Sequence, residues 1–179
     1  MRHLVSTLAA LALALPVAPA VAQRAAASSP KGEALVISAS NRTAAEDAAR
    51  GEARRDSTVR SGDVLRYTLT FTNVVGRPIR GVELKNPIPA GLRFVAGSAR
   101  ATRGDARVEF SADGGKTYSA APSEQVVVDG QEVSRPIPAE RFTHVRWFVA
   151  GWVQPRSGVV AEYEARLAPI APQVERGGE

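Results

Sequence analysis

Apolar and polar residues alternate with a period of two along the middle of this chain. Leu65, Tyr67, Leu69 and Phe71 interleave with Arg66, Thr68, Thr70 and Thr72. That is the pattern of a strand with one face on a core and the other toward water or a partner. Val82 and Leu84 alternate in the same way with Glu83 and Lys85, up to the segment Asn86-Pro87-Ile88-Pro89-Ala90-Gly91. Two prolines there prevent the strand from continuing as a ladder member. Further strands are predicted over residues 34–38, 92–95 and 107–111. The last of these runs into Ala112-Asp113-Gly114-Gly115-Lys116, a tight-turn signal, and a short return strand over 117–120. Residues 125–128 (QVVV) read as an edge strand, and 143–149 (THVRWFV) as a central one with Val145, Trp147 and Val149 on one face. The run 159–167 closes the set, with Val159, Ala161, Tyr163, Ala165 and Leu167 on one face. Seven to nine short strands between Gly, Pro and Asn turns, without a strong helical period, predict an all-β antiparallel sandwich.

The flanks follow different rules. Met1-Arg2-His3 is basic, residues 4–15 are apolar, and Ala20-Val21-Ala22 places small residues where a signal peptidase cuts. Residues 1–22 therefore read as a secretory signal peptide. The apolar run is shorter than the ~20 residues a membrane-spanning helix needs, so no integral membrane segment is expected after cleavage. Residues 23–33 form a small, polar leader, 34–168 the sandwich, and 169–179 a disordered tail. Within the sandwich, residues 41–61 are a charged insert whose main apolar residue is alanine. It is expected to be an exposed loop, with Thr43 capping a helical turn or two.

Several of these strands together resemble a known family. The runs GDVLRYTLTFTN, VELKNPIPAGLRFVAGSA, VEFSADGGKTY, THVRWFV and GVVAEYEARL are similar to the conserved-repeat domain of bacterial envelope proteins, catalogued as domain of unknown function 11. The resemblance covers residues 34–167. It implies an immunoglobulin-like β-sandwich in a secreted or surface protein, with a structural or adhesive role and no catalytic residues to carry over. The family's most specific elements are the strand ending at Asn73 and the N-P-I-P-x-G-L segment. Asn73 is placed to bond backbone in the following turn. Pro87, Pro89 and Gly91 direct the chain around a sandwich corner, and Asn86 is read as structural with them.

Composition narrows the function. The chain has no cysteine, so it forms no disulfide in the oxidising space that export implies and offers no thiolate to a metal. The net charge of +5 is compatible with anionic envelope polymers. Export and the lack of aromatics interleaved with the arginines argue against nucleic acid.

Catalytic equipment is sparse. With His3 in the signal peptide, His144 is the one histidine of the mature chain, and no G-x-S-x-G elbow accompanies it. Glu162 and Glu164 share a strand face and are expected to pair with basic residues across the sheet. Ser111-Ala112-Asp113-Gly114-Gly115-Lys116-Thr117-Tyr118 is similar to the Asp-box hairpin of β-propellers, where Asp113 and Gly115 would be structural. One copy builds no propeller, and no acidic cluster surrounds Asp113 to hold calcium. No cofactor is expected. Trp152, after Gly151 at a strand end, is the candidate ligand-binding residue, since aromatic faces stack on sugar rings. The expectation is an exported, non-enzymatic domain of the periplasm or exterior. Its partner is an envelope protein engaged through the strand edge near 125–128, or alternatively an anionic glycan read by Trp152 and arginines.

Overall fold

The computed structural model describes residues 33–52 and 58–169. The signal peptide, nearly all of the leader, part of the charged insert and nearly all of the tail lie outside them. The described chain is all-β and antiparallel apart from one short helix and a single 3-10 turn at Ala139–Arg141.

The first sheet runs in the order β1 (Glu33–Asn41), β2 (Val64–Asn73), β10 (Gly158–Leu167), β4 (Leu92–Phe94), with β5 (Arg100–Ala101) also pairing with β10. The second has β9 (His144–Val149) between β3 (Val82–Pro87) and β6 (Ala106–Ser111). Strands β7 (Ser123–Val128) and β8 (Gln131–Pro136) pair only with each other, as a two-stranded arm.

Alternation sets the strand faces. On β9, Val145, Trp147 and Val149 are fully buried while His144, Arg146 and Phe148 are partly exposed. On β10 the buried apolar residues are Val159, Ala161, Tyr163 and Ala165. These join Leu69 and Phe71 of β2, Leu84 of β3 and Phe94 of β4 in one hydrophobic cluster fed by both sheets. Tyr163 stacks on Tyr67 with centroids 5.0 Å apart, and Trp147 of the second sheet lies 6.2 Å from it. A polar contact also crosses between the sheets. Asn86 of β3 donates from Nδ2 to the Tyr163 hydroxyl at 2.6 Å, and that hydroxyl donates to the Pro87 carbonyl at 3.3 Å. Burial pushes the Tyr163 phenol well above its ordinary pKa, against the opposing pull of Asn86, so it stays a neutral donor.

The strands differ in detail from the sequence reading. Ten are formed among the described residues, where seven to nine are expected. The two-residue β5 is too short to show a pattern, and β8 is exposed at all six positions, so it has no hydrophobic period to read. The return segment over 117–120 is reduced to an isolated bridge between Phe110 and Ser119. The charged insert opens with helix α1 (Arg42–Ala49), capped by the Asn41 side chain, which accepts from the Ala44 amide at 2.9 Å. Thr43 does not cap the helix; its hydroxyl accepts from the Val64 amide at 2.9 Å and ties α1 to β2.

Candidate interaction site

The arm is built by a turn. Asp129 (φ 52°) and Gly130 (φ 78°) are both left-handed, the geometry of a type I′ hairpin loop, which needs two residues that tolerate positive φ. The register pairs Val128 with Gln131, Val126 with Val133 and Glu124 with Arg135. At the base, the Ile137 amide donates to the Pro122 carbonyl at 2.9 Å. Antiparallel alternation then makes 122/137, 124/135, 126/133 and 128/131 the bonded pairs. The backbone groups of Gln125 and Val127 on one edge, and of Glu132 and Ser134 on the other, point away from the ladder. No strand among the described residues pairs with either edge.

The arm's side chains are equally uncovered. Val127 is 69% exposed, Val128 50% and Val133 40%. Glu124 anchors the base by accepting from Arg141 at 2.8 Å and Arg135 at 3.1 Å, and these two guanidinium groups hold its pKa below the ordinary value. Asp129 and Glu132 near the tip have no such partner among the described residues. Beside the base, a groove of about 450 Å³ is lined by Phe110, Tyr118, Pro122, Ile137 and Arg141, among others.

The Asp113 turn closes one side of that groove and is fully engaged in its own structure. The Asp113 carboxylate accepts from the hydroxyls of Ser111 (2.7 Å) and Thr117 (2.6 Å) and from the amides of Lys116 and Thr117. Those donors, the Ser111 hydroxyl first, hold its pKa far below the usual carboxylate range. Gly115 sits at φ +83°, and a Cβ there would meet the His144 ring and the Tyr118 hydroxyl at 3.2 Å. His144 is half-buried, with Nδ1 3.1 Å from the Thr143 hydroxyl.

The other predicted residues are placed as follows. Asn73 is fully buried; it donates to the carbonyls of Arg77 (3.0 Å) and Val153 (2.9 Å) and accepts from the Val75 amide (3.0 Å). Asn86 is the cross-sheet donor described above, Pro87 closes β3, and the Pro89 carbonyl accepts from the Leu92 amide at 3.0 Å. The Gly91 carbonyl accepts from Ala168 at 2.9 Å. Glu162 pairs with Arg100 at 2.6 Å, and Glu164 with Arg42 at 2.6 Å and Arg66 at 3.1 Å. Trp152 is 55% exposed, with the Arg80 guanidinium 5.4 Å from its ring centroid.

Among the described residues, the carboxyls of Glu83, Asp105, Asp113, Glu124 and Glu164 are held below their ordinary pKa. Such groups are poor general acids at neutral pH. Among the described residues no three His, Cys, Asp or Glu side chains are grouped to hold a metal ion, and no helix is long and apolar enough to cross a membrane. The sequence matches no protein-family model, no curated protein and no solved structure.

Sequence reasoning found one strand of the arm and missed the other. The missed signal is Asp129-Gly130 itself, among the strongest short hairpin signals. The Arg80–Trp152 pairing had no signal, because it depends on tertiary placement.

Proposed function

We propose that this chain is an exported, non-enzymatic immunoglobulin-like β-sandwich of the bacterial cell envelope, related to the conserved-repeat domains, that engages a protein partner through the β7–β8 arm. The sandwich reading is supported by the shared core of the two sheets and the Asn86–Tyr163 contact between them. The role is carried by one observation: a ribbon with two unpaired edges and exposed valines.

An isolated two-stranded hairpin is marginal in water, and an uncovered strand edge is a template for another chain. An extended segment of a partner would add to the arm as a further strand, using the outward backbone groups of Gln125 and Val127 for affinity and the valine face for selectivity. The acidic residues at the tip, Asp129 and Glu132, favour a segment carrying Lys or Arg.

The test is binding of the purified protein to the envelope fraction of the source cell, before and after that fraction is treated with protease. The proposal expects a component of binding in the Trp152→Ala background that protease abolishes and that a variant with β7–β8 also replaced by a short turn lacks. Binding in that background that survives protease, or that the armless variant retains, would contradict it.

A further inference from the structure

We propose a second, independent site: Trp152 and Arg80 bind an acidic saccharide. Trp152 does not reach solvent by local looseness. Its neighbour Val153 is fully buried and exchanges backbone hydrogen bonds with Ile79 at 2.7 and 3.1 Å. On the other side, the Gly151 amide donates to Asp105 Oδ2 at 3.1 Å, and a Cβ at Gly151 would collide with that oxygen. Arg103 grips Asp105 through two hydrogen bonds of 2.8 and 2.6 Å and donates to the Trp152 carbonyl at 3.1 Å. The backbone on both sides of the indole is fixed, and the ring is held outward.

Burying a large apolar side chain stabilises a fold. Trp152 leaves about half of that burial unrealised, 55% exposed, while a glycine and an Arg–Asp clamp keep it so. The surroundings identify the chemistry the ring faces. Pro78, Trp152 and Gln154 line a shallow cavity of about 380 Å³. Two of these offer flat apolar surface and the third an amide that both donates and accepts. Arg80 lies over the ring and has no acidic partner among the described residues. Apolar faces suit the C–H face of a sugar, the amide its hydroxyls, and the unpaired guanidinium a carboxylate held as a fork. The cavity is shallow and open, a shape that suits a short stretch of saccharide lying across it. The site is separate from the arm and does not depend on it.

The experiment titrates the full chain with oligogalacturonate, with its carboxyl-reduced neutral counterpart, and with an acidic peptide, following tryptophan emission and heat of binding. Trp147 is fully buried and Trp152 exposed, so a ligand at the site changes the solvent-exposed component of the emission. The expected result is saturable binding of oligogalacturonate that weakens as salt rises. Arg80→Ala is expected to reduce it at least about tenfold, the equivalent of one charge-assisted hydrogen bond, and Trp152→Ala to abolish the heat. The arm-replacement variant should bind oligogalacturonate as the parent does. No response to oligogalacturonate overturns the proposal, as does an equal response to the neutral sugar or to the acidic peptide. Loss in the arm variant with retention in Trp152→Ala would overturn the location.

Discussion

Glu164→Gln tests the ion-pair network that ties the charged insert and β2 to β10. Glu164 lies on the outward side of β10 yet is only 5% exposed, because α1 and the 95–98 segment flank it. Its carboxylate accepts from Arg42 Nη1 at 2.6 Å and from Arg66 Nη2 and Nε at 3.1 and 3.4 Å. A hydrogen bond to a charged group contributes about 1.5–3 kcal/mol, and breaking a wholly buried pair costs about 3–5 kcal/mol. The two arginine side chains retain 43% and 35% of their exposure, so water recovers part of the loss. The substitution should therefore cost about 2 kcal/mol, or roughly 4–8 °C in Tm for a chain of this size. Burial raises the Glu164 pKa, but the two guanidinium groups outweigh it and hold the folded value below the ordinary 4.5. The folded state thus binds the proton more weakly than the unfolded state. The stabilisation is fully present above pH 4.5 and is lost as pH falls through the depressed folded value. Chemical denaturation of parent and variant as a function of pH should show a gap that is constant from neutrality to about pH 5 and closes below it. Hydrogen exchange should quicken across α1 in the variant. A gap under about 0.5 kcal/mol, or one that persists unchanged in acid, would refute the reasoning.

Tyr163→Phe removes the hydroxyl that joins β10 to Asn86 and Pro87 across the core. It leaves a buried amide short of one partner and should cost about 1–2 kcal/mol in denaturant unfolding without changing the slope; a loss below about 0.3 kcal/mol would show that Asn86 repairs its bonding elsewhere. Gly115→Ala should lower Tm because it forces φ +83° on an L residue against His144 and Tyr118; an unchanged Tm would show that the Asp113 turn yields.

What the sequence made legible is the part of the fold built by alternation. Strands β2, β9 and β10 carry period-two patterns because one face is covered and the other is not. Trp147 sits between two core valines in sequence and is buried with them. Long-range contacts were not legible. Alternation treats Glu162 and Glu164 alike, yet Glu162 retains 24% of its side-chain exposure and Glu164 only 6%. The difference lies in a helix more than a hundred residues away in sequence. The second strand of the arm escaped notice because a ribbon exposed on both faces has no periodicity to preserve. Trp152 was singled out from its place after Gly151, whereas its Arg80 neighbour and the Arg103–Asp105 clamp come together only in the folded chain.

The most direct test of the proposed role is the protease-sensitive envelope binding of Val127→Pro. Proline at an edge position removes the outward amide and leaves the inner ladder of the arm in place. The account predicts that this single change abolishes or severely weakens that binding, while Ala39→Pro, at an exposed position of β1 whose amide also points away from its ladder, does not. Undiminished binding by the Val127 variant, with its arm still folded, would contradict strand addition at the arm.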